Sequence, residues 1–292
     1  MKQTVQYAVV TPVRDEVRHI GRTIDSMAAQ TIRPARWVIV DDGSTDGTSA
    51  LLDHRCATLP WITVLHRHDR GFRAAGGGVM QAFHAGLALL ADTPWEFLVK
   101  LDGDLSFAPG YFEACLEAFR QDATLGIGGG TVHQLEDGAL YVDSAGDPPF
   151  HVRGATKIYR RACWARISPL IEAPGWDTFD EVQANFRGWT TRTFPDLAVV
   201  QLKPTGAAAG RWRDAFKNGR ANYVSGYHPA FMLAKCVRRA FRRPMLVQAA
   251  GLLSGYCSGY LKQVPTAPDP DAIRWLRGQQ LRRLTLRSSI YG

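Results

Sequence analysis

Four short apolar runs alternate with helix-like segments in the first third of the chain, and this alternation constrains the fold most. The runs occupy residues 7–11, 37–41, 62–66 and 97–101. Apolar residues recur at helical spacing within 17–27, and residues 79–90 combine helix-forming residues with an apolar face. A βαβαβαβ order implies right-handed crossovers, so we expect a mostly parallel sheet.

Two of the four runs end in paired carboxylates. Asp41 and Asp42 close the second run, and Asp102 and Asp104 follow the fourth. Open α/β sheets bind ligands at the carboxyl ends of their strands. Mg²⁺ and Mn²⁺ are commonly held by one or two carboxylates together with substrate phosphates. The Asp-Gly-Asp at 102–104 therefore predicts a metal–diphosphate site, although a tight turn explains it equally well.

Other local signals complete the predicted element order. Ser44 or Thr45 is expected to cap the helix that follows the second run, and Pro109 is expected to begin another helix. Further strands are predicted at 126–132, 156–159 and 197–202.

The 292 residues are enough for one large or two small domains, and their charge is unevenly distributed. Up to Gly210 the chain holds 20 Lys and Arg against 24 Asp and Glu, whereas the remainder holds 15 against 3. The basic part is typical of a segment that contacts nucleic acid, an anionic membrane surface or a phosphorylated substrate.

The five cysteines are far apart and odd in number, which argues against a disulfide framework or a zinc site. The apolar run near the N-terminus is interrupted by Arg14, so we expect no signal peptide and a cytoplasmic location.

Three motifs, at 9–16, 40–46 and 101–104, together resemble family 2 glycosyltransferases with the GT-A fold. The resemblance implies a Rossmann-like α/β domain, with a mostly parallel central sheet flanked by helices and a basic, helical C-terminal extension. The implied boundaries are 1–204 for the GT-A domain, divided into a nucleotide-sugar half (1–108) and an acceptor half (109–204), and 205–292 for the extension.

The same resemblance assigns residues to the nucleotide and the metal. Asp102 would approach the ribose and a Mn²⁺ or Mg²⁺ ion, and Asp104 would be the more direct metal ligand. Arg73 lies where the family often has an arginine near the diphosphate, although the family's asparagine is missing here. The residues implied to contact the nucleotide at the first two strand ends are Thr11, Pro12, Arg14, Glu16 and Asp42.

An inverting transfer also needs a base for the acceptor hydroxyl, away from the metal. By resemblance, the segment 175–181 corresponds to the family's base motif, with a tryptophan in place of its glutamate. We expect Asp177 to be the base. Asp180 and Glu181 are alternatives, but acids in the first turn of a helix also fit them. The polar segment 152–161 is either an acceptor contact for a phosphorylated group or a solvated strand edge, and Trp176 and Trp189 either stack on a sugar or lie in the core.

The basic C-terminal part contains two further features. Arg211 and Arg213 lie where related enzymes close a loop over the donor, and the missing glutamine of the processive signature favours single transfer. The segment 237–262 combines arginines with a glycine at every fourth position from 251 to 259. That glycine stripe packs against the chain itself or a second copy, or the helix lies at a membrane interface.

We therefore expect an inverting, metal-dependent glycosyltransferase that moves a sugar from a nucleotide-sugar, with UDP preferred, to a saccharide or lipid-linked saccharide. The pathway would be polysaccharide or glycoconjugate biosynthesis, with peripheral contact at the inner face of the cytoplasmic membrane and no nucleic-acid partner. One alternative is a sugar-phosphate nucleotidyltransferase, which would carry a glycine-rich, lysine-containing signature after the first strand. The other is a nucleic-acid-binding protein that uses the basic part.

Overall fold

The structure is a computed structural model, and it describes residues 6–69, 71, 77–136, 139–143, 146–203, 210–241 and 246–292. Strands and helices alternate through the first part of the chain. They are β1 (Tyr7–Val13), α1 (Ile20–Ala28), β2 (Arg36–Asp41), α2 (Thr48–Cys56), β3 (Ile62–His66), α3 (Gly77–Ala88) and β4 (Phe97–Leu101). All four predicted strands and the three intervening helices are confirmed.

The central part of the chain contributes five more strands and three helices within the described residues. They are β5 (Leu105–Phe107), α4 (Tyr111–Gln121), β6 (Leu125–Glu136), β7 (Ala139–Val142), β8 (Thr156–Arg160), α5 (Arg161–Ile167), α6 (Trp176–Phe186) and β9 (Thr190–Gln201). The basic part that follows is helical: α7 (Gly210–Val224), α8 (Pro229–Ala240), α9 (Val247–Leu261) and α10 (Pro270–Leu284).

The nine described strands form one sheet with the order β3-β2-β1-β4-β8-β6-β9-β5, and β7 pairs with β6. The first four strands are parallel, as expected. The second half adds antiparallel ladders from β4 to β8, β6 to β8 and β5 to β9, and a parallel ladder from β6 to β9. The carboxyl ends of β1, β2 and β4 therefore meet at one edge of the sheet.

The inner strands are apolar along their whole length because both faces of the sheet are covered. Side chains such as Val9 and Val99 pack on one face with α1 and α4, and Val10 and Leu98 pack on the other with α3. A charged residue in such a strand needs a partner, which gives Lys100 on β4 particular interest.

The start of α2 differs from the prediction that Ser44 or Thr45 caps it. The helix begins at Thr48 and is preceded by Gly47, whose φ of 98° places it in the left-handed region. The Asp46 carboxylate accepts the Thr48 N–H at 3.0 Å. The hydroxyl of Ser44 accepts the Asp15 N–H at 2.9 Å, so it joins the two strand-end loops.

The glycine stripe of α9 packs inside the molecule against α7. A Cβ atom on Gly255 would lie 1.9 Å from the backbone oxygen of Phe216, and one on Gly259 would lie 2.2 Å from the Tyr223 ring. The two helices approach this closely because α9 carries no side chain at these positions. The interpretation as internal packing is thus confirmed for this face of α9. No helix in the described part of the chain is both long and apolar enough to cross a membrane.

We expect opposite outcomes for two glycine-to-alanine substitutions, one inside the α7–α9 contact and one outside it. We expect Gly255→Ala to lower the free energy of unfolding by about 1–3 kcal/mol, because the added methyl forces the helices apart. Gly278 in α10 has nothing within 4 Å of its added Cβ, so Gly278→Ala should raise it by up to about 1 kcal/mol. Urea denaturation measures both, and equal effects would contradict the packing.

Candidate active site

Backbone hydrogen bonds at the sheet edge join the loop after β2 to the end of β1, and the loop after β4 to the segment before β8. The Asp42 N–H donates to the Val13 carbonyl at 2.9 Å, and the Asp102 N–H donates to the Ala155 carbonyl at 2.8 Å. Gly103 fits against β1 only without a side chain, since a Cβ would lie 2.4 Å from a methyl of Val13. This close approach places the 102–104 turn directly beside the end of β1.

Lys100 is a site residue that sequence reasoning missed, although a lysine within an apolar strand was a signal for it. Its ammonium group donates to the Asp102 carboxylate and to the Gly154 carbonyl, the latter at 2.6 Å. The Lys100 side chain is nearly inaccessible to solvent. It therefore fixes the position of Asp102 and balances part of the negative charge there.

Asp104 is buried next to two other carboxylates. Burial and the negative charge of Asp102 raise its pKa to about 7, although a hydrogen bond from Gln201 opposes the shift. Glu16 also contributes negative charge. One Glu16 oxygen pairs with Lys203 Nζ at 2.8 Å, and the other is buried without a hydrogen-bond partner among the described residues.

This donor set fits a divalent cation that also binds a substrate. Among the described residues no three His, Cys, Asp or Glu side chains are grouped so that they hold a metal by themselves. Mg²⁺ and Mn²⁺ do not need such a group, because one or two carboxylates and the substrate phosphates suffice. A cation bound at this edge would relieve the crowded charge at Asp104 and supply a partner for the unpaired oxygen of Glu16.

Two ion pairs beside this edge join the loops that follow β1, β2 and β3. Arg14 donates to Asp69 at 2.7 Å and to the backbone oxygen of Asp42 at 3.3 Å. Arg67 donates to the Asp42 carboxylate at 2.8 Å. A cavity of about 430 Å³ opens next to them and is lined in part by Arg67 and Asp69. Of the residues expected to contact the nucleotide, Arg14 and Asp42 are thus brought together, and Pro12 lies at the adjoining end of β1.

The side chains of Thr11 and Asp41 make hydrogen bonds within the protein and hold its strands and loops together. Thr11 is completely buried, and its hydroxyl accepts the indole N–H of Trp37 at 2.8 Å. The Asp41 carboxylate accepts the Ser44 N–H at 3.0 Å and contacts His66 Nδ1 at 3.0 Å. Although burial opposes the shift, these hydrogen bonds lower the pKa of Asp41.

Three other residues were expected to contact the donor, and the structure shows the side chain of only one of them. Arg73 lies outside the described residues. The backbone of Arg211 belongs to the first turn of α7, but its side chain is also outside the described part. Arg213 is exposed on the same turn.

The three acids of the predicted base motif lie in the first two turns of α6, which follows Gly175 at φ 93°. Asp180 is fully enclosed: Lys157 Nζ lies 2.8 and 2.9 Å from its two oxygens, and the Tyr159 hydroxyl donates to it at 2.6 Å. Glu181 accepts the Val152 N–H at 2.7 Å and contacts His151 Nδ1 at 2.9 Å. Both carboxylates therefore connect α6 to β8 and the segment before it.

Lys157 is the centre of this buried cluster and is neither a solvated residue nor an acceptor contact. It also lies 2.8 Å from Glu181, and its ammonium donates to the backbone oxygen of Asp177. Burial alone would lower its pKa, but the charges of Asp180 and Glu181 outweigh that effect and raise it. Trp176 packs in the core with both buried lysines over its ring, at 5.2 and 5.6 Å.

We expect Lys157→Met to lower the free energy of unfolding by about 3–5 kcal/mol, because it leaves two buried carboxylates without their cation. Lys262→Met removes an exposed lysine at the end of α9 and should change it by less than about 0.5 kcal/mol. Chemical denaturation at neutral pH compares the two. A small loss for Lys157→Met would show that the cluster does not depend on this ion.

Asp177 is the one acid of the three whose side chain reaches a cavity. It is half-buried and lines a space of about 650 Å³ together with residues such as His151 and Arg153. Burial would raise its pKa, but the positive charges of Lys157, His151 and Arg153 outweigh burial and lower it. Asp177 is therefore an anion near neutral pH and can accept a proton from a group in the cavity.

Comparison with known proteins places these features in a family. Residues 8–163, more than half of the chain, match the model of the family described as glycosyl transferase family 2. The match contains the first three motifs and ends before α6.

Three curated relatives share shorter segments with the chain. Over 111 residues it is 31% identical to the undecaprenyl-phosphate mannosyltransferase of Micrococcus luteus, and this match covers 38% of this chain and 43% of the relative. Over 101 residues it is 36% identical to the polyprenol monophosphomannose synthase of Mycolicibacterium smegmatis, with coverages of 32% and 36%. Over 125 residues it is 27% identical to chondroitin synthase of Escherichia coli, with coverages of 43% and 17%. The chain spans less than half the length of each relative.

Two solved structures resemble the whole described fold. The mannosyltransferase PcManGT from Pyrobaculum calidifontis, in complex with GDP-Man and Mn²⁺, superposes with a TM-score of 0.58 at 16% identity, over 97% of this chain and 81% of that one. TarS from S. aureus (residues 1–349), in complex with UDP, gives 0.55 at 14% identity, with coverages of 88% and 72%. At these identities the likeness establishes the fold, which confirms the expected GT-A architecture.

Proposed function

This chain belongs to glycosyl transferase family 2, and we propose that it transfers a sugar from a nucleotide-sugar donor to an acceptor hydroxyl with inversion. The acceptor class is a saccharide or lipid-linked saccharide, and the reaction serves polysaccharide or glycoconjugate synthesis. One observation carries the proposal: a carboxylate-rich edge suited to a metal and diphosphate exists together with a separate acid, Asp177, that lines a cavity.

The donor occupies the edge formed by the ends of β1, β2 and β4. The nucleoside lies near Pro12 and Asp42, where Arg14 and Arg67 hold the loops in place through their ion pairs. The ribose lies near Asp102, which Lys100 keeps in position. A uridine nucleotide is our preferred donor, and the guanosine donor bound by the structurally similar mannosyltransferase is the competitor to test.

Asp104 and Asp102 would hold a divalent cation, with Glu16 next to them. The cation supplies Lewis-acid stabilisation of the charge on the departing nucleoside diphosphate. The chain's own contribution is to keep Asp104 buried and close enough to Asp102 for the charge of one carboxylate to act on the other.

Asp177 accepts the proton of the attacking hydroxyl. Its lowered pKa keeps it ionised, and Lys157 holds its backbone through a hydrogen bond. Asp180 and Glu181 are positioning residues in this proposal, because the buried cluster occupies their oxygens.

The test is to incubate the chain with Mn²⁺ and a panel of UDP- and GDP-sugars and to measure nucleoside diphosphate release with and without candidate acceptors. We expect acceptor-stimulated release with at least one donor, and none after chelation of the metal by EDTA. Absence of release with every donor, or release unaffected by Asp104→Asn, would falsify the enzymatic proposal.

Peripheral membrane contact through 237–262 remains part of the proposal. Leu233 and Val237 of α8 and Phe241 directly after the helix follow one another at four-residue spacing, and all three are exposed, Phe241 by 79%. Arg238 and Arg239 are next to them in the last turn. An apolar stripe beside arginines is typical of a helix that lies on an anionic bilayer.

We expect the chain to co-sediment with vesicles of anionic phospholipid and much less with zwitterionic ones. Phe241→Ser should weaken binding by about 10-fold or more, because a Phe side chain contributes about 1.5–3 kcal/mol when buried. Leu140→Ser removes an exposed leucine from β7 and should leave binding unchanged. Equal loss in both variants would contradict α8 as the contact.

A further inference from the structure

The cavity that Asp177 lines receives its other walls from the basic C-terminal part. Beyond α6 it is bounded by the segment 146–153, by α7, α8 and α10, and by the residues that follow α10. From α8 it takes Lys235, Arg238 and Arg239. The candidate base and a set of cations therefore share one space of about 650 Å³, which is large enough for a sugar with a charged substituent.

A buried, unpaired donor lies in the wall of the same cavity. Asn222 of α7 is only 8% exposed, and its Oδ1 accepts from Lys235 Nζ at 3.4 Å. An ammonium group can only donate, so this contact orients the amide. Asn222 Nδ2 is then buried without a hydrogen-bond partner among the described residues. Buried polar groups are almost always paired, so this donor indicates a ligand oxygen.

The charges at this end of the cavity are crowded. Burial and the neighbouring Arg239 lower the pKa of Lys235 to about 8, while Asp147 opposes the shift. The Lys235 ammonium also lies 5.1 Å from the centre of the Tyr227 ring. Several cations held together in a partly enclosed space favour a multiply charged anion over a neutral sugar hydroxyl.

We propose that Lys235, Arg238, Arg239 and Asn222 form a subsite for a phosphate group carried by the acceptor. The amide Nδ2 of Asn222 donates to one phosphate oxygen, and the three cations neutralise the group. The inference rests on the proposed function, because it assigns the cavity to the acceptor. The phosphate belongs either to a lipid-linked acceptor or to a water-soluble sugar phosphate, and the exposed apolar stripe on α8 favours the lipid.

Binding measured without turnover tests the subsite independently of catalysis. The full chain is titrated calorimetrically with farnesyl phosphate, glucose 1-phosphate and farnesol, both alone and in the presence of UDP and Mn²⁺ to occupy the donor site. We expect farnesyl phosphate to bind in both conditions and farnesol to bind at least about 10-fold more weakly, a difference of about 1.4 kcal/mol. Binding of glucose 1-phosphate as well would identify the phosphate as sufficient and a soluble acceptor as competent.

Substitutions locate the binding. Lys235→Met and the exposed Arg238→Met should each weaken farnesyl phosphate binding by about 10-fold, the value of a charge-assisted contact. Lys262→Met, which removes one positive charge outside the cavity, should not. Equal binding of farnesol and farnesyl phosphate, or equal loss in all three variants, would overturn the subsite. Donor turnover without phosphate binding would reject this inference alone, and phosphate binding without turnover would reject the proposed function alone.

Discussion

Asp177→Asn is expected to lower the rate of sugar transfer by about 10²–10⁴-fold, the usual contribution of a general base. The amide keeps the size and position of the carboxylate but cannot take the acceptor proton. Because Lys157 contacts the backbone oxygen of Asp177, the fold and donor binding should be retained. Steady-state kinetics with a saturating donor, combined with a UDP-binding measurement, separate the two effects.

Two other substitutions serve as controls for the assignment of the base. Asp196→Asn changes an exposed acid on β9 and should leave the rate unchanged. Asp180→Asn disrupts the buried contact with Lys157 and Tyr159, so we expect a lower unfolding free energy. If Asp177→Asn kept full activity, the base would have to be Asp180 or Glu181 instead.

Asp104→Asn is expected to reduce transfer by at least about 10²-fold, because a metal that stabilises a leaving oxygen contributes several kcal/mol. The loss should be accompanied by a weaker apparent affinity for Mn²⁺. Asp102→Asn should cost less, because Lys100 already neutralises part of its charge. Rates measured over a range of Mn²⁺ concentrations distinguish the two carboxylates.

The matched control for this pair is Asp92→Asn, which alters an exposed acid in the turn before β4. We expect it to behave as the unmodified chain at every metal concentration. If the transfer rates of Asp104→Asn and of the control depended on Mn²⁺ concentration in the same way, other residues would have to hold the cation.

The nucleotide half of the fold was predictable because its signals are local. Strands β1 to β4 are short apolar runs, their crossovers carry helical periodicity, and right-handed βαβ connections leave little choice of topology. The acids at the strand ends were predictable for the same reason. Residues such as Asp42 and Asp104 are brought to a single edge by parallel pairing alone.

The roles within the base motif were harder to predict, because they depend on contacts distant in sequence. Asp180 and Glu181 look like first-turn acids, but they are enclosed by Lys157, and Glu181 also by His151. Lys157 itself reads as a strand-edge cation until β8 is paired with both β4 and β6. Thr11 shows the opposite case: the motif predicted a nucleotide contact, but its hydroxyl accepts the indole N–H of Trp37.

In the C-terminal part, too, the local feature was predictable and the contacts distant in sequence were not. The four-residue glycine spacing predicted a close helix contact, and α7 turned out to be the partner. The cavity shared by Asp177 and Lys235 joins residues of α6 and α8, which are distant in sequence. Composition indicated only that this region is basic, and the tertiary packing determines which of its cations reach the acid.

A crystal structure of the chain with UDP and Mn²⁺, recorded with anomalous scattering from manganese, tests the donor and metal assignments most directly. We expect one manganese peak within coordination distance of Asp104, with the diphosphate bound to the same ion and the uridine over the ends of β1 and β2. A diphosphate bound in the cavity beside Asp177, with no manganese at Asp104, would contradict both assignments.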